Sequence, residues 1–284
     1  MSKITTTFDF DNVACNIRPS YESEDDHDTH DFSILNPIMK IFKDGNAKWV
    51  KDTKLAKDIE NWLATHKIAP KYLFELLLDK HGVEPENADV ACLLALLYYN
   101  GLGAEKSGKK AFKMLKEIAQ KGDSFAAIQL GCCYEIGIGT TQDEFEAFYW
   151  YSKSAKSDFA GGYWYMAACY EQGVGTKQNY KSAVQYYQKS LDMGCFPAAL
   201  YLAKCYRSGI GVDQDITKAF YLTLKATRCQ FGGAYTETGR YYSCGRATTK
   251  DVHKAIRFFH LGIENEDDEA YGQIVKLFYP LIVG

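Results

Sequence analysis

The chain has 284 residues, of which 46% are hydrophobic and 24% charged, with a net charge of −3. That balance is enough for a buried core and excludes a chain disordered throughout. With Lys and Arg scattered, it offers no basic stripe of the kind that neutralises nucleic-acid phosphates. Twenty-one Tyr beside six Pro suit a mainly helical protein with large side chains wedged between helices. The nine Cys are odd in number and contain no CxxC pair, which argues against a zinc site of paired thiolates. The longest apolar run, Val90 to Tyr99, is half of the roughly 20 residues that a membrane helix needs. The first residues lack the basic start and apolar run of a signal peptide. These features predict a reducing, cytoplasmic or nuclear setting without membrane insertion, the thiols mostly packed as small hydrophobes.

In chain order, residues 1–31 show no sustained helical period. They carry Glu22, Glu24, Asp25, Asp26, Asp28 and Asp31, so a solvated, disordered acidic tail is expected. His27 and His30 lie inside that run and are read as part of the tail rather than as metal ligands. From Phe32 the pattern becomes helical. Ile34, Ile38, Ile41 and Phe42 precede an Asp44-Gly45 stop. Lys48 to His66 places Leu55, Ile59, Trp62 and Leu63 on one face, and Pro70 opens a helix over Tyr72 to His81. Residues 32–85 are expected to form a helical block that covers the exposed first face of the remaining chain.

From about residue 86 the sequence is periodic. Gly101, Gly137, Gly173, Gly209 and Gly245 stand 36 residues apart. A second glycine comes two residues later at Gly103, Gly139, Gly175 and Gly211, and becomes Ala247 in the last copy. Tyr98, Tyr134, Tyr170, Tyr206 and Tyr242 keep the same beat, as do Ala111, Ala147, Ala183, Ala219 and Ala255. Each unit reads as two helices joined at the G-x-G, where glycine tolerates the positive φ of a helix end. The second helix begins at Asp143, Asn179, Asp215 or Asp251, short acceptors suited to a helix start. It then passes through the small Ala to a bulky pair such as Trp150-Tyr151, Tyr186-Tyr187 or Phe258-Phe259. A lone hairpin cannot bury both its sides, so neighbours must stack. The expected units are 87–122, 123–158, 159–194, 195–230 and 231–266, closed by a capping helix over 267–284.

The order A-x-x-x-L-G-x-x-Y-x-x-G-x-G, clearest from Ala126 to Gly139, then D-x-x-K-A as at Asp215, Lys218 and Ala219, resembles the Sel1-like repeat. The resemblance covers about 86–284. It implies an all-α, right-handed superhelical α/α solenoid related to the tetratricopeptide array, here with an N-terminal helical cap. It also implies an intracellular scaffold or adaptor that binds a peptide or helix of another protein, in complex assembly or signalling. Secreted relatives staple each repeat with a disulfide. This sequence keeps no Cys pair per repeat, and Cys195 with Cys229 is the one pair placed to imitate the pattern.

Enzyme signatures are absent: no Walker A sequence, G-x-S-x-G or H-E-x-x-H occurs, and no catalytic, cofactor or metal residue is assigned. An S-x-x-K triplet, Ser107 to Lys110, is the single trace of a β-lactamase-type hydrolase, without the S-D-N and K-T-G that should accompany it. His253 and His260 share a helix face without a third ligand, and Cys133, Cys169 and Cys205 occupy one repeat position as core thiols. The non-repeating positions opposite the stacked face carry the specificity. They are Gln129, Tyr165, Tyr201 and Glu237, then Lys204 and Arg240, then Gln172 and Ser208. In related arrays the first helices line the concave surface, so these residues either form an aromatic and charged groove or fill the gaps between repeats. Docking through the N-terminal helices is the alternative mode of binding.

Overall fold

The computed structural model describes residues 35–44, 54–229, 231–265 and 267–283. The acidic tail and its two histidines lie outside them. The chain divides into two compact units, 1–154 and 155–284. The first contains α1 (Leu35–Asp44), α2 (Lys54–Thr65), α3 (Pro70–Val83), α4 (Ala88–Asn100), α5 (Gly108–Gln120), α6 (Ser124–Ile136) and most of α7 (Glu144–Lys156). The second contains α8 (Ala160–Gln172), α9 (Tyr180–Asp192), α10 (Pro197–Ser208), α11 (Ile216–Ala226), a 3₁₀ turn at Thr227–Cys229, α12 (Gly232–Cys244), α13 (Val252–Glu264) and α14 (Asp268–Val283). All are helical, so the fold is an all-α solenoid of two-helix repeats.

Short-range chemistry fixes each hairpin. Gly101, Gly137, Gly173, Gly209 and Gly245 end the first helices with φ between 67° and 80°, the left-handed cap that the glycine spacing predicts. The second helices start on side-chain caps. Ser107, Asn179, Asp215 and Asp251 each accept the backbone N–H three residues on, and Asp143 accepts those of Phe145 and Glu146. The same five capping residues also donate their own N–H to the carbonyl of Tyr98, Tyr134, Tyr170, Tyr206 or Tyr242, at 2.7–2.9 Å. That bond closes a connection of constant length in every copy, which is why the period runs without insertion.

The second glycine of the G-x-G does more than turn the chain. A Cβ at Gly139 would sit 2.2 Å from the carbonyl oxygen of Gly108, and one at Gly211 2.4 Å from that of Tyr180. Each of these glycines therefore lets the connection seat on the start of the preceding repeat's second helix. Gly103 is pressed in the same way against Pro70, where a Cβ would stand 2.2 Å from its carbonyl oxygen. Phe74 of α3 also meets Tyr98 edge-on at 5.1 Å, as Phe112 of α5 meets Tyr134 at 5.3 Å. Helix α3 thus packs on α4 as a repeat's second helix packs on its successor.

Within a repeat the small-to-large logic holds. Cβ atoms at Gly131 and Gly239 would lie 2.5 Å from the rings of Tyr151 and Phe259, so the missing side chain is the seat of the ring. Tyr151, Tyr187 and Phe259 are fully buried. Leu97, Cys133, Cys169, Cys205 and Tyr241, one register position in five copies, are buried as well. Fully burying a side chain of this size contributes about 1.5–3 kcal/mol.

Candidate functional site

The first helices are more enclosed than their sequence suggests. All residues from Ala160 to Cys169 on α8 are buried, and so are those from Phe125 to Cys133 on α6. Gln129, Tyr165 and Tyr201, which the repeat register places opposite the stacked face, are 0%, 4% and 5% exposed. They do not line an open surface in the folded chain. In the second unit the reason is aromatic packing: Tyr201 stacks on Tyr187 at 5.1 Å and meets Trp164 edge-on at 5.6 Å, while Tyr165 meets Trp164 at 4.8 Å. Gln129 belongs to the other unit. Gln172 and Ser208 are exposed at the ends of α8 and α10, and Lys204, Glu237 and Arg240 are half-buried.

Those last three belong to a charged row that the groove reading only partly anticipates. It runs across consecutive first helices of the second unit: Glu171 on α8, Lys204 and Arg207 on α10, Glu237 and Arg240 on α12, Glu269 on α14. Glu237 accepts from both Arg207 and Arg240, and Arg240 continues to Glu269. Lys204 is pulled below the ordinary lysine range by burial, against the opposing attraction of Glu237 and Glu171. Its ammonium also lies 5.3 Å from the centre of the Tyr201 ring. Burial raises the Glu171 carboxyl above the usual carboxylate range, against the Tyr187 hydroxyl that donates to it at 2.6 Å and the charge of Lys204.

The Tyr187–Glu171 bond has a twin in the first unit, where Tyr151 donates to Glu135 at 2.6 Å. Sequence reasoning passes over both pairs, although their signal is present: Glu135 and Glu171 stand 36 residues apart, and each has its Tyr 16 residues later. The next two copies dissolve the pair. Arg207 with Thr223, and Ser243 with Phe259, take those places. Without a tyrosine at that position, Arg207 turns to the following repeat's Glu237.

The S-x-x-K pair stands at the start of α5. The Ser107 hydroxyl oxygen caps α5 by accepting the Lys110 N–H at 3.3 Å, and the Lys110 ammonium lies 5.0 Å from the centre of the Tyr98 ring. Lys218 and Lys254 repeat that placement over Tyr206 and Tyr242. His253 and His260 are exposed. Among the described residues no group of three His, Cys, Asp or Glu side chains could hold a metal ion. Cys92, Cys132, Cys133, Cys169 and Cys205 are buried and outside any disulfide, as is the exposed Cys244. Burial pushes the Cys205 thiol up to about 12, far from a reactive thiolate. Cys195 departs from the reduced-thiol expectation: it is disulfide-bonded. Compartment reasoning weighs the medium and is blind to two sulfurs brought within bonding distance by a fold. The side chain of Cys229 lies outside the described residues.

A stack of two-helix units with a 36-residue period defines a helical-repeat protein. A sequence model of the Sel1 repeat matches residues 88–123, 124–159, 160–195, 197–230 and 233–267, and the chain belongs to the Sel1 repeat family, in general one of protein–protein interaction scaffolds. Among solved structures it is similar to a Sel1 repeat protein from Oxalobacter formigenes, at 24% identity and a TM-score of 0.69, over 78% of this chain and 89% of that one. It is also similar to a protective antigen of uropathogenic Escherichia coli strains that displays an SLR fold, at 22% identity and a TM-score of 0.63. That match covers 74% of this chain and 44% of the antigen. A search of curated protein sequences finds no match. No described helix is long and apolar enough to cross a membrane.

Proposed function

We propose that this chain is an interaction scaffold or adaptor, acting in complex assembly or signalling. In this reading it takes a peptide or helix of a partner protein against the first-helix face of the second unit and performs no catalysis. The row from Glu171 to Glu269 is the observation that supports this reading. Its members keep part of their surface free even while paired: 36% for the Arg207 side chain, 29% for Arg240 and 59% for Glu269. A surface that alternates sign over successive helices favours a segment carrying both acidic and basic side chains in matching order, and penalises one of a single sign. Gln172 and Ser208 add exposed hydrogen-bonding groups beside the row. Tyr165 and Tyr201 act from beneath, by fixing the helices that carry it.

Six cysteines outside any disulfide among the described residues suit a cytoplasmic setting, and the disulfide at Cys195 is the feature such a setting would have to tolerate. Affinity capture from the native cell tests the reading, with the wild-type chain beside Lys204→Met and Arg240→Gln. Both variants remove charge at nearly constant volume, and their helix content is checked by circular dichroism. Specific partners should be lost from both. If every captured protein persists on the folded variants, this face is not the binding surface.

A further inference from the structure

The carboxylates of the charged row differ in how firmly they are held. The Glu237 side chain is 14% exposed, and it accepts from Arg207 through one oxygen and from Arg240 through the other. A carboxylate this enclosed stays charged only while its partners stay, so these two bonds are not open to exchange. Glu171, at the α8 end, is tied to the Tyr187 hydroxyl. Glu269 is different. Its side chain is 59% exposed, and among the described residues its carboxylate has one partner, Arg240. An exposed pair of this kind contributes little, and water readily takes over the released carboxylate.

The repeat register marks Glu269 as an addition to the framework. One, two and three repeats earlier its place holds Gly233, Pro197 and Gly161. None of these carries charge, so the packing of the array asks for no acid there. The cations beside it, in turn, offer more than Glu269 takes up. Lys204, Arg207 and Arg240 all act on Glu237, three positive charges against one enclosed negative one. A guanidinium presents five N–H donors in a planar fork. Among the described residues that of Arg207 donates to Glu237, and that of Arg240 to Glu237 and Glu269. Held on the two oxygens of one carboxylate, the two forks stand side by side, and both keep part of their surface open. Paired planar forks with donors to spare recognise a carboxylate.

We propose that Glu269 is a resident stand-in for an acidic side chain of the partner. An aspartate or glutamate of the bound segment takes the outer edge of Arg240, extends toward Arg207, and releases Glu269 to solvent. This rests on the first-helix face being the binding surface, and it names the anchor of the mixed-charge segment that binds there. Because Glu269 must be displaced, a segment without an acid at that point gains nothing from the two arginines.

The probe is a synthetic peptide with a central Glu-Glu pair between alanines and a lysine at each end, beside its Gln-Gln counterpart. Binding to the nitrogen-15-labelled chain is read from the arginine Nε–H resonances, which report affinities as weak as millimolar. The signals of Arg207 and Arg240 should move with the Glu-Glu peptide and stay in place with the other. Arg240→Gln should weaken the Glu-Glu peptide by about tenfold or more. Glu269→Gln should tighten it by roughly two- to fivefold, the worth of one exposed ion pair. That variant alters an exposed side chain and leaves Glu237 paired, so its result stands whatever Arg240→Gln does to folding. Unmoved arginine signals, or a Glu269→Gln variant that binds no tighter than wild type, would overturn the proposal. Affinity capture separates it from the broader reading. Partners lost from Arg240→Gln and from Glu269→Gln alike would keep this face as the binding surface and remove the stand-in. Partners held by both variants would remove the face itself.

Discussion

Ala247 holds φ at +58° in the place where the other four copies have glycine. An L-residue in the left-handed region costs about 1–2 kcal/mol, of which glycine's extra chain entropy returns a part. Ala247→Gly should therefore raise the denaturant midpoint, with a gain of roughly 0.5–1 kcal/mol. The two glycines of one connection should respond unequally to the reverse change. An added Cβ at Gly209 meets nothing nearer than Gln214 at 3.4 Å, so Gly209→Ala should cost little beyond the backbone term of about 1 kcal/mol. At Gly211 the Cβ would press on the Tyr180 carbonyl, and overpacking adds a further 1–3 kcal/mol, roughly. Equal losses in the two variants would show that the second glycine serves conformation alone. Glu171 offers a test of the buried pair through pH. Its folded carboxyl is raised, chiefly by burial, above its ordinary value of 4.5. The stabilising contribution of such a group is complete below the unfolded value and is lost as pH rises through the folded one. Glu171→Gln keeps an acceptor for the Tyr187 hydroxyl and cannot ionise. Relative to wild type, the variant should gain stability as pH rises from below 4.5 toward neutrality, then level off. A variant that instead loses stability relative to wild type as pH rises would mean that attraction to Lys204 outweighs desolvation.

Helix ends are where the sequence is most readable. Each hairpin is set by three local devices: a left-handed glycine, a short acceptor at the next helix start, and that residue's N–H returning to the repeated tyrosine carbonyl. All lie within ten residues of one another, so a fixed spacing announces them. Asn179→Ala removes the cap over Ser182 and should cost about 1 kcal/mol, whereas Asn179→Asp should be nearly neutral in a chemical-denaturation series. If both variants lose alike, the asparagine matters for something other than its acceptor oxygen. The contacts that sequence reading misses are those between elements. Tyr201 sits on the face that helical periodicity leaves open, yet Trp164 of α8 and Tyr187 of α9 close over it from helices that a single period cannot place. Arg207 and Glu269 stay hidden because their partners are 30 and 29 residues away, on the next helix of the stack. The role of α3 is hidden for a different reason. Its connection from α2 is four residues, His66 to Ala69, with no G-x-G, so its packing on α4 leaves no periodic mark.

At the scale of the whole molecule, repeats within each unit touch their sequence neighbours, and stability should emerge as a sum of local and nearest-neighbour contributions. Phe259 decides whether that holds. It is 1% exposed, its ring fills the seat over Gly239, and it anchors the cluster that fastens α14 through Ala270. Phe259→Ala should remove about 3–5 kcal/mol from its surroundings, as aromatic truncations in cores do. In a chain of nearest-neighbour contacts that loss stays near its origin. Hydrogen exchange read by mass spectrometry should show α12, α13 and α14 losing protection by orders of magnitude, α10 and α11 less so, and α4 to α6 scarcely at all. A uniform loss from α4 to α14 would instead mean that the array opens only as a whole. The distinction bears on binding. A scaffold that opens locally can lend the row on α10 and α12 to a partner while the first unit stays folded, and a partner that spans several first helices would tie together repeats that otherwise open separately. Protection of α12 in the variant should therefore recover when such a partner binds, in proportion to the number of first helices it bridges.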